Sequence, residues 1–187
     1  MDYYPCPGVI QANSYCGATE AAANGSFFRE TAQAMTSPRI LAQDPSKTDC
    51  VALIVAAGRG ERAGGGAPKQ YRTVGGVPVL RRSILPFVSH AAVGTVRCVI
   101  HDADRPLYQA AIQGLDLLEP VPGGATRQES VRLGLESLAP LVPRLVLIHD
   151  AARPFVAPAV IDATLAGLCD AEGAIPALAV HDTLKRA

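Results

Sequence analysis

Residues 56–71 run Ala-Ala-Gly-Arg-Gly-Glu-Arg-Ala-Gly-Gly-Gly-Ala-Pro-Lys-Gln-Tyr. Small residues let backbone N–H groups approach phosphate oxygens closely, and Arg62 and Lys69 add positive charge that a backbone nest lacks. The chemistry this suits is the gripping of a polyphosphate. Gly58-x-Gly60-x-x-Ala63 also matches a tolerant dinucleotide fingerprint. That reading needs a ribose-binding acid about 20 positions on, and no Asp or Glu lies between Glu61 and Asp102. A Walker loop needs Gly-Lys-Ser/Thr, whereas Lys69 stands between Pro68 and Gln70. A ligand-free glycine loop with solvated Arg and Lys has the same charge content, so other segments must decide.

Two segments bear on that decision. In residues 123–131, Gly-Gly-Ala-Thr-Arg-Gln-Glu-Ser-Val, the paired Gly123 and Gly124 permit contact with a flat base, and Ser130 offers a donor and an acceptor for its edge. The same stretch is a capped helix start, with Thr126 and Glu129 at capping-box spacing. In residues 149–154, His-Asp-Ala-Ala-Arg-Pro, a carboxylate beside a triphosphate is a ligand for Mg²⁺, which prefers hard oxygens. Asp150 is therefore the metal candidate. Arg153 is read either as a phosphate anchor or as an ion-pair partner of Asp150, and His149 as a packing or hydrogen-bonding residue. Cys98, Cys169 and His101 carry no role beyond core or surface.

The elements that must position these residues come from apolar runs. Residues 51–57 form a continuous apolar stretch closed by glycine, as in a strand buried on both faces of a parallel sheet. Similar runs at 95–100, 117–121, 144–148 and 173–180 alternate with helical spacing. In the helix after the third run, Val131, Leu135 and Leu138 share one face, while Arg127, Glu129, Arg132 and Glu136 face water. A second helix is expected over 157–168. Such alternation gives an α/β fold, a Rossmann-like, mostly parallel sheet with helices on both faces, whose ligands sit at the carboxyl ends of the strands. Residues 1–50 lack either period and read as a disordered or poorly ordered tail before a domain at 51–187. Met35 offers a second possible start.

Composition narrows the function classes. Seventeen basic and seventeen acidic side chains cancel, so no net field recruits nucleic acid or an anionic membrane. No apolar run approaches the roughly 20 residues of a membrane span. Five scattered cysteines without a Cys-x-x-Cys pair argue against a zinc site or a disulfide framework. With no apparent secretory signal at the N-terminus, a cytoplasmic protein is expected.

Ala-Ala-Gly-x-Gly-x-Arg with Pro-Lys-Gln-Tyr, then Gly-Gly-x-x-Arg-x-x-Ser-Val, His-Asp-Ala-Ala-Arg-Pro and Asp-Thr-Leu-Lys, in this order, resemble the 2-C-methyl-D-erythritol 4-phosphate cytidylyltransferases. The resemblance covers residues 51–187 and implies a nucleotide-diphospho-sugar-transferase-type domain, usually dimeric, that uses CTP and Mg²⁺. The implied products are 4-diphosphocytidyl-2-C-methylerythritol and pyrophosphate. It places Arg62 and Lys69 at transition-state-stabilising positions and Asp150 at a magnesium-linked carboxylate near the sugar phosphate. Ala56, Ala57, Gly58, Gly60, Gly123, Gly124 and Ser130 fall among the nucleotide contacts. Arg153 and Thr183 fall on the substrate side, Thr183 at a position reached across the dimer. Where this chain has Ala125, members can carry Asp. Members also continue past the Asp-Thr-Leu-Lys segment into a dimerisation arm, and some are fused to a cyclodiphosphate synthase, so a C-terminally truncated chain is expected. Ribitol-phosphate cytidylyltransferases share the loop and a similar His-Asp segment. A non-catalytic nucleotide-binding module is the alternative from another class.

Overall fold

The computed structural model describes residues 9–12, 49–59, 67–169 and 171–178. Five strands form one sheet: β1 (Val9–Ala12), β2 (Cys50–Ala56), β5 (Thr95–Ile100), β6 (Val121–Pro122) and β7 (Leu145–Asp150), in the order β1-β7-β2-β5-β6 with every pairing parallel. A two-stranded hairpin, β3 (Thr73–Val74) and β4 (Val77–Pro78), leads into helix α1 (Val79–Val88). Helices α2 (Arg105–Ile112), α3 (Arg127–Leu138) and α4 (Pro158–Ala166) complete the domain.

The two-residue period of β2 divides the core. Cys50, Ala52, Ile54 and Ala56 pack in a cluster with Leu80, Ile84 and Phe87 of α1, Tyr108 of α2 and Ile161 of α4. Val51 and Leu53 turn to the opposite face, where Leu138, Val131 and Leu135 of α3 cover them. A strand apolar at every position is thus buried on both sides, as its sequence predicts. Helix α3 lies close to the sheet at Gly134, where an added Cβ would stand 2.7 Å from Leu53 Cδ2 and 2.8 Å from Val99 Cγ2.

From β2 the chain moves outward through β5 and β6, then returns across α3 to place β7 on the other side of β2. The strand order reverses between β2 and β7, and a crevice at the carboxyl ends of strands at such a point is where open α/β sheets bind ligands. In register, Val55 stands beside Asp150, and Ile100 beside both Ala56 and Pro122, so four strand ends open onto one edge.

Several expectations are corrected. The run at 117–121 contributes only Val121–Pro122 to the sheet. Pro120 and Pro122 lack the N–H that a ladder requires, and Leu118 N–H reaches Val96 O as an isolated contact. Residues 173–178 are not a strand, and Pro176 interrupts their apolar run. Within residues 1–50, read as a disordered or poorly ordered tail, Val9–Ala12 pairs with β7 as an edge strand, and residues 1–8 and 13–48 lie outside the described residues. Edge pairing is a backbone interaction and needs no apolar period.

Candidate active site

At the carboxyl ends of β2, β5, β6 and β7 lies an open cavity of about 1000 Å³. Its walls include Ala56, Ala57, Gly58, Lys69, Gly123, Gly124, Ser130, Asp150 and Arg153. Nine of the residues singled out from sequence therefore meet in one place, although they come from four segments up to about 100 positions apart. Gly60, Arg62 and Thr183 lie outside the described residues.

The glycine-loop wall is held by Gln70. Its side chain is 4 % exposed, and Nε2 donates to Ala56 O at 2.7 Å and to Gly58 O at 3.0 Å. These bonds tie the short 3₁₀ turn Lys69–Tyr71 to the end of β2, so a buried amide fixes the backbone next to an exposed Lys69. Nothing in the sequence marks Gln70 for this task, because a Gln beside a Lys resembles ordinary loop polarity. Below the loop, burial drives the Tyr71 phenol's pKa upward, and the carboxylate of Asp104 adds to that rise. Burial likewise pushes the Cys98 thiol up to about 12, which keeps it protonated and unreactive at neutral pH.

The middle wall is the turn into α3. Thr126 caps the helix by accepting from Glu129 N–H at 3.0 Å, and Glu129 Oε2 accepts from Ala125 N–H at 2.8 Å. The expected Thr126–Glu129 pairing is present, with the carboxylate reaching one residue further back than in a simple capping box. Ser130 Oγ accepts from Gly124 N–H at 3.1 Å and donates to Thr126 O at 2.9 Å. Its hydroxyl shapes the turn, and Ser130 is only 2 % exposed. Gly123 is required by contact, since an added Cβ would lie 2.2 Å from Ala57 Cβ and 2.8 Å from Ser130 Oγ.

The β7 wall carries the charge cluster. Asp150 Oδ1 accepts from Arg127 Nε at 3.0 Å and Nη2 at 2.8 Å, and Arg153 Nε lies 3.0 Å from Oδ2. Of the two readings of Arg153, the ion pair is the one observed here. Arg127 is exposed, as expected, and it also bridges two elements 23 residues apart. A signal for this was present in the sequence. Arg127 is the first residue of α3, where the helix dipole opposes a cation, so a nearby anion had to be sought. His149 is fully buried, tilts against the Phe87 ring at 5.0 Å and has Nε2 2.9 Å from Arg153 O. It packs and bonds, as expected. Ser83 of α1 donates to Ala151 O at 2.7 Å and so pins the turn that follows Asp150.

Among the described residues no group of three or more His, Cys, Asp and Glu is placed to hold a metal. Asp150 is a single carboxylate at the cavity edge with 22 % of its side chain exposed. A carboxylate has about four acceptor sites, and the three contacts from Arg127 and Arg153 leave room on Oδ2. That donor set fits Mg²⁺ bound mainly by ligand phosphates and touched by one carboxylate, which is a common arrangement for this ion.

Known proteins place this geometry. The chain is 61 % identical over 136 residues to the bifunctional enzyme IspD/IspF of Rhodospirillum rubrum, an alignment that covers 72 % of this chain and 35 % of that protein. It is 54 % identical to the bifunctional enzyme IspD/IspF of Paramagnetospirillum magneticum, covering 73 % of this chain and 35 % of the relative. The chain thus spans about a third of the length of these curated relatives. Among solved structures, the 4-diphosphocytidyl-2C-methyl-D-erythritol synthase of Anaerococcus prevotii superposes with a TM-score of 0.57 at 27 % identity, over 67 % of this chain and 53 % of that one. A second such synthase gives 0.53 at 29 %, over 66 % and 55 %. Residues 50–187 match the family described as IspD, 2-C-methyl-D-erythritol 4-phosphate cytidylyltransferase, and the chain belongs to that family.

Proposed function

We propose that this chain carries the nucleotide-binding part of an enzyme that transfers CMP from CTP to 2-C-methyl-D-erythritol 4-phosphate, releasing pyrophosphate, in isoprenoid biosynthesis. The observation that carries the reading is the convergence of Gly58, Lys69, Gly123, Gly124 and Asp150 on one cavity at the switch point of a parallel sheet. The enzyme acts in the cytoplasm as a homodimer. Arg62 and Thr183 complete the site, on the triphosphate and the sugar-phosphate side respectively.

The nucleophile is a phosphate oxygen of the sugar, already anionic at neutral pH, so no general base is required. It attacks the α-phosphorus of CTP in line. A new P–O bond forms, the bond to the bridging oxygen of the β-phosphate breaks, and pyrophosphate leaves with the electron pair. What the protein must do is hold the two ends in line and offset the charge that gathers on the α-phosphate and the leaving group. Lys69 supplies a compact point charge and Arg62 a planar fork, which are different tools for the same triphosphate. Backbone around Gly58 and Gly124 approaches the nucleotide closely. Bound Mg²⁺, touched by Asp150, would supply further neutralisation of phosphate charge.

Pyrophosphate release measured with CTP and each sugar phosphate tests this reading. Release with 2-C-methyl-D-erythritol 4-phosphate and none with ribitol 5-phosphate is expected. The reverse preference would assign the site to ribitol phosphate. CTP binding with no release, persisting in a longer chain that contains residues 1–187, would make it a non-catalytic binding module.

A further inference from the structure

Asp150 is held from two sides by groups of unlike origin. Arg153 follows it by three residues within one turn, where Arg153 N–H also bonds Asp150 O at 3.0 Å, so that partner is fixed locally. Arg127 comes from the first turn of α3 and grips Oδ1 through two nitrogens, with 47 % of its side chain exposed. Two guanidiniums share the one carboxylate of Asp150. Guanidinium charge placed on a carboxylate opposes a free divalent cation there and attracts a polyanion. The N-terminus of a helix adds to the attraction for phosphate and opposes the guanidinium placed on it. Of the two arginines, Arg127 is thus the one that can exchange a carboxylate for a phosphate without unmaking the β7 turn.

We propose that Arg127 is a positioning residue that interlocks metal and nucleotide binding. In the nucleotide-free protein it occupies Asp150 Oδ1, so that a divalent cation meets only the remaining site on Oδ2, beside two guanidiniums, and binds weakly. When a nucleoside triphosphate enters, the guanidinium moves to its phosphates, and Asp150 becomes free to face the cation that arrives with them. This rests on the reading of Asp150 as the metal-facing carboxylate of a cytidylyl-transfer site. The coupling is reciprocal: nucleotide raises cation affinity by the factor by which cation raises nucleotide affinity.

The test uses Mn²⁺ alone as the probe, titrated into the 187-residue chain and followed by the paramagnetic resonance of the free ion. Arg127→Gln is expected to bind Mn²⁺ about tenfold or more tightly than the unaltered chain, within the usual range of coupling between sites. The gain disappears in Arg127→Gln combined with Asp150→Asn. Arg127→Lys keeps the charge but not the fork; it gives an intermediate gain and replaces the glutamine variant if circular dichroism shows that variant unfolded. Arg127 serving only as a structural tie would leave Mn²⁺ affinity unchanged or lower on substitution, and that result overturns the interlock. Calorimetry of CTP binding is run in parallel on the unaltered chain. No Mn²⁺ gain with CTP still bound defeats the interlock alone, whereas no CTP binding defeats the nucleotide reading and the exchange with it.

Discussion

At the end of β2 the cavity wall is held by an uncharged, buried amide, that of Gln70, which leaves Lys69 exposed to meet a ligand. At the end of β7 the wall is held by half-exposed ion pairs, in which Arg127 and Arg153 are both engaged with Asp150. Among the described residues, the first wall has backbone tied by an uncharged amide, and on the proposed interlock the second is the one a ligand rearranges. Preorganised charge is the kind that lowers a barrier, because it needs no rearrangement during the reaction. Charge tied up in a salt bridge must first be released.

The sharpest way to break this contrast is Lys69→Ala. With the fold intact, turnover is expected to fall by about 100- to 1000-fold, the scale seen when one oriented charge-stabilising donor is removed, while the KM for CTP changes far less. Steady-state kinetics on the catalytically active protein separates the two effects, and unchanged turnover would remove Lys69 from the mechanism. Next is Gln70→Ala, which strips hydrogen bonds from the buried Ala56 O and the more exposed Gly58 O. A stability loss of about 1–3 kcal/mol is expected for one such unpaired buried group, seen as a lower denaturant midpoint. The smallest effect belongs to Arg153→Ala, which removes a half-exposed ion pair worth about 1 kcal/mol or less. The same denaturation series measures it. A larger loss for Arg153→Ala than for Gln70→Ala would invert the account of which wall is built in advance.

The sequence carried the framework well where chemistry and periodicity agree. The apolar run at 51–57 became β2, the run at 95–100 became β5, and Thr126 with Glu129 marked the start of α3. It carried less where the governing interaction joins distant residues or involves backbone alone. Arg127 faces solvent as its helix pattern implies, but its choice of Asp150 as partner is not legible locally, because that residue belongs to another strand. Gln70 looked like loop polarity, since nothing local says that it folds back on Ala56 and Gly58. Val9–Ala12 has no apolar period, yet it completes the sheet by pairing with the backbone of β7. Pro120, Pro122 and Pro176 were visible throughout, and they explain why two apolar runs yielded little or no strand.

The central claim is transfer of a cytidylyl group, and the position of an isotopic label reads it directly. CTP labelled at the α-phosphate or at the γ-phosphate is incubated with Mg²⁺, 2-C-methyl-D-erythritol 4-phosphate and the protein, and the products are separated. The account predicts α-label in the sugar nucleotide and γ-label in pyrophosphate. γ-Label in a sugar product, or no transfer of either label to the sugar, would contradict it.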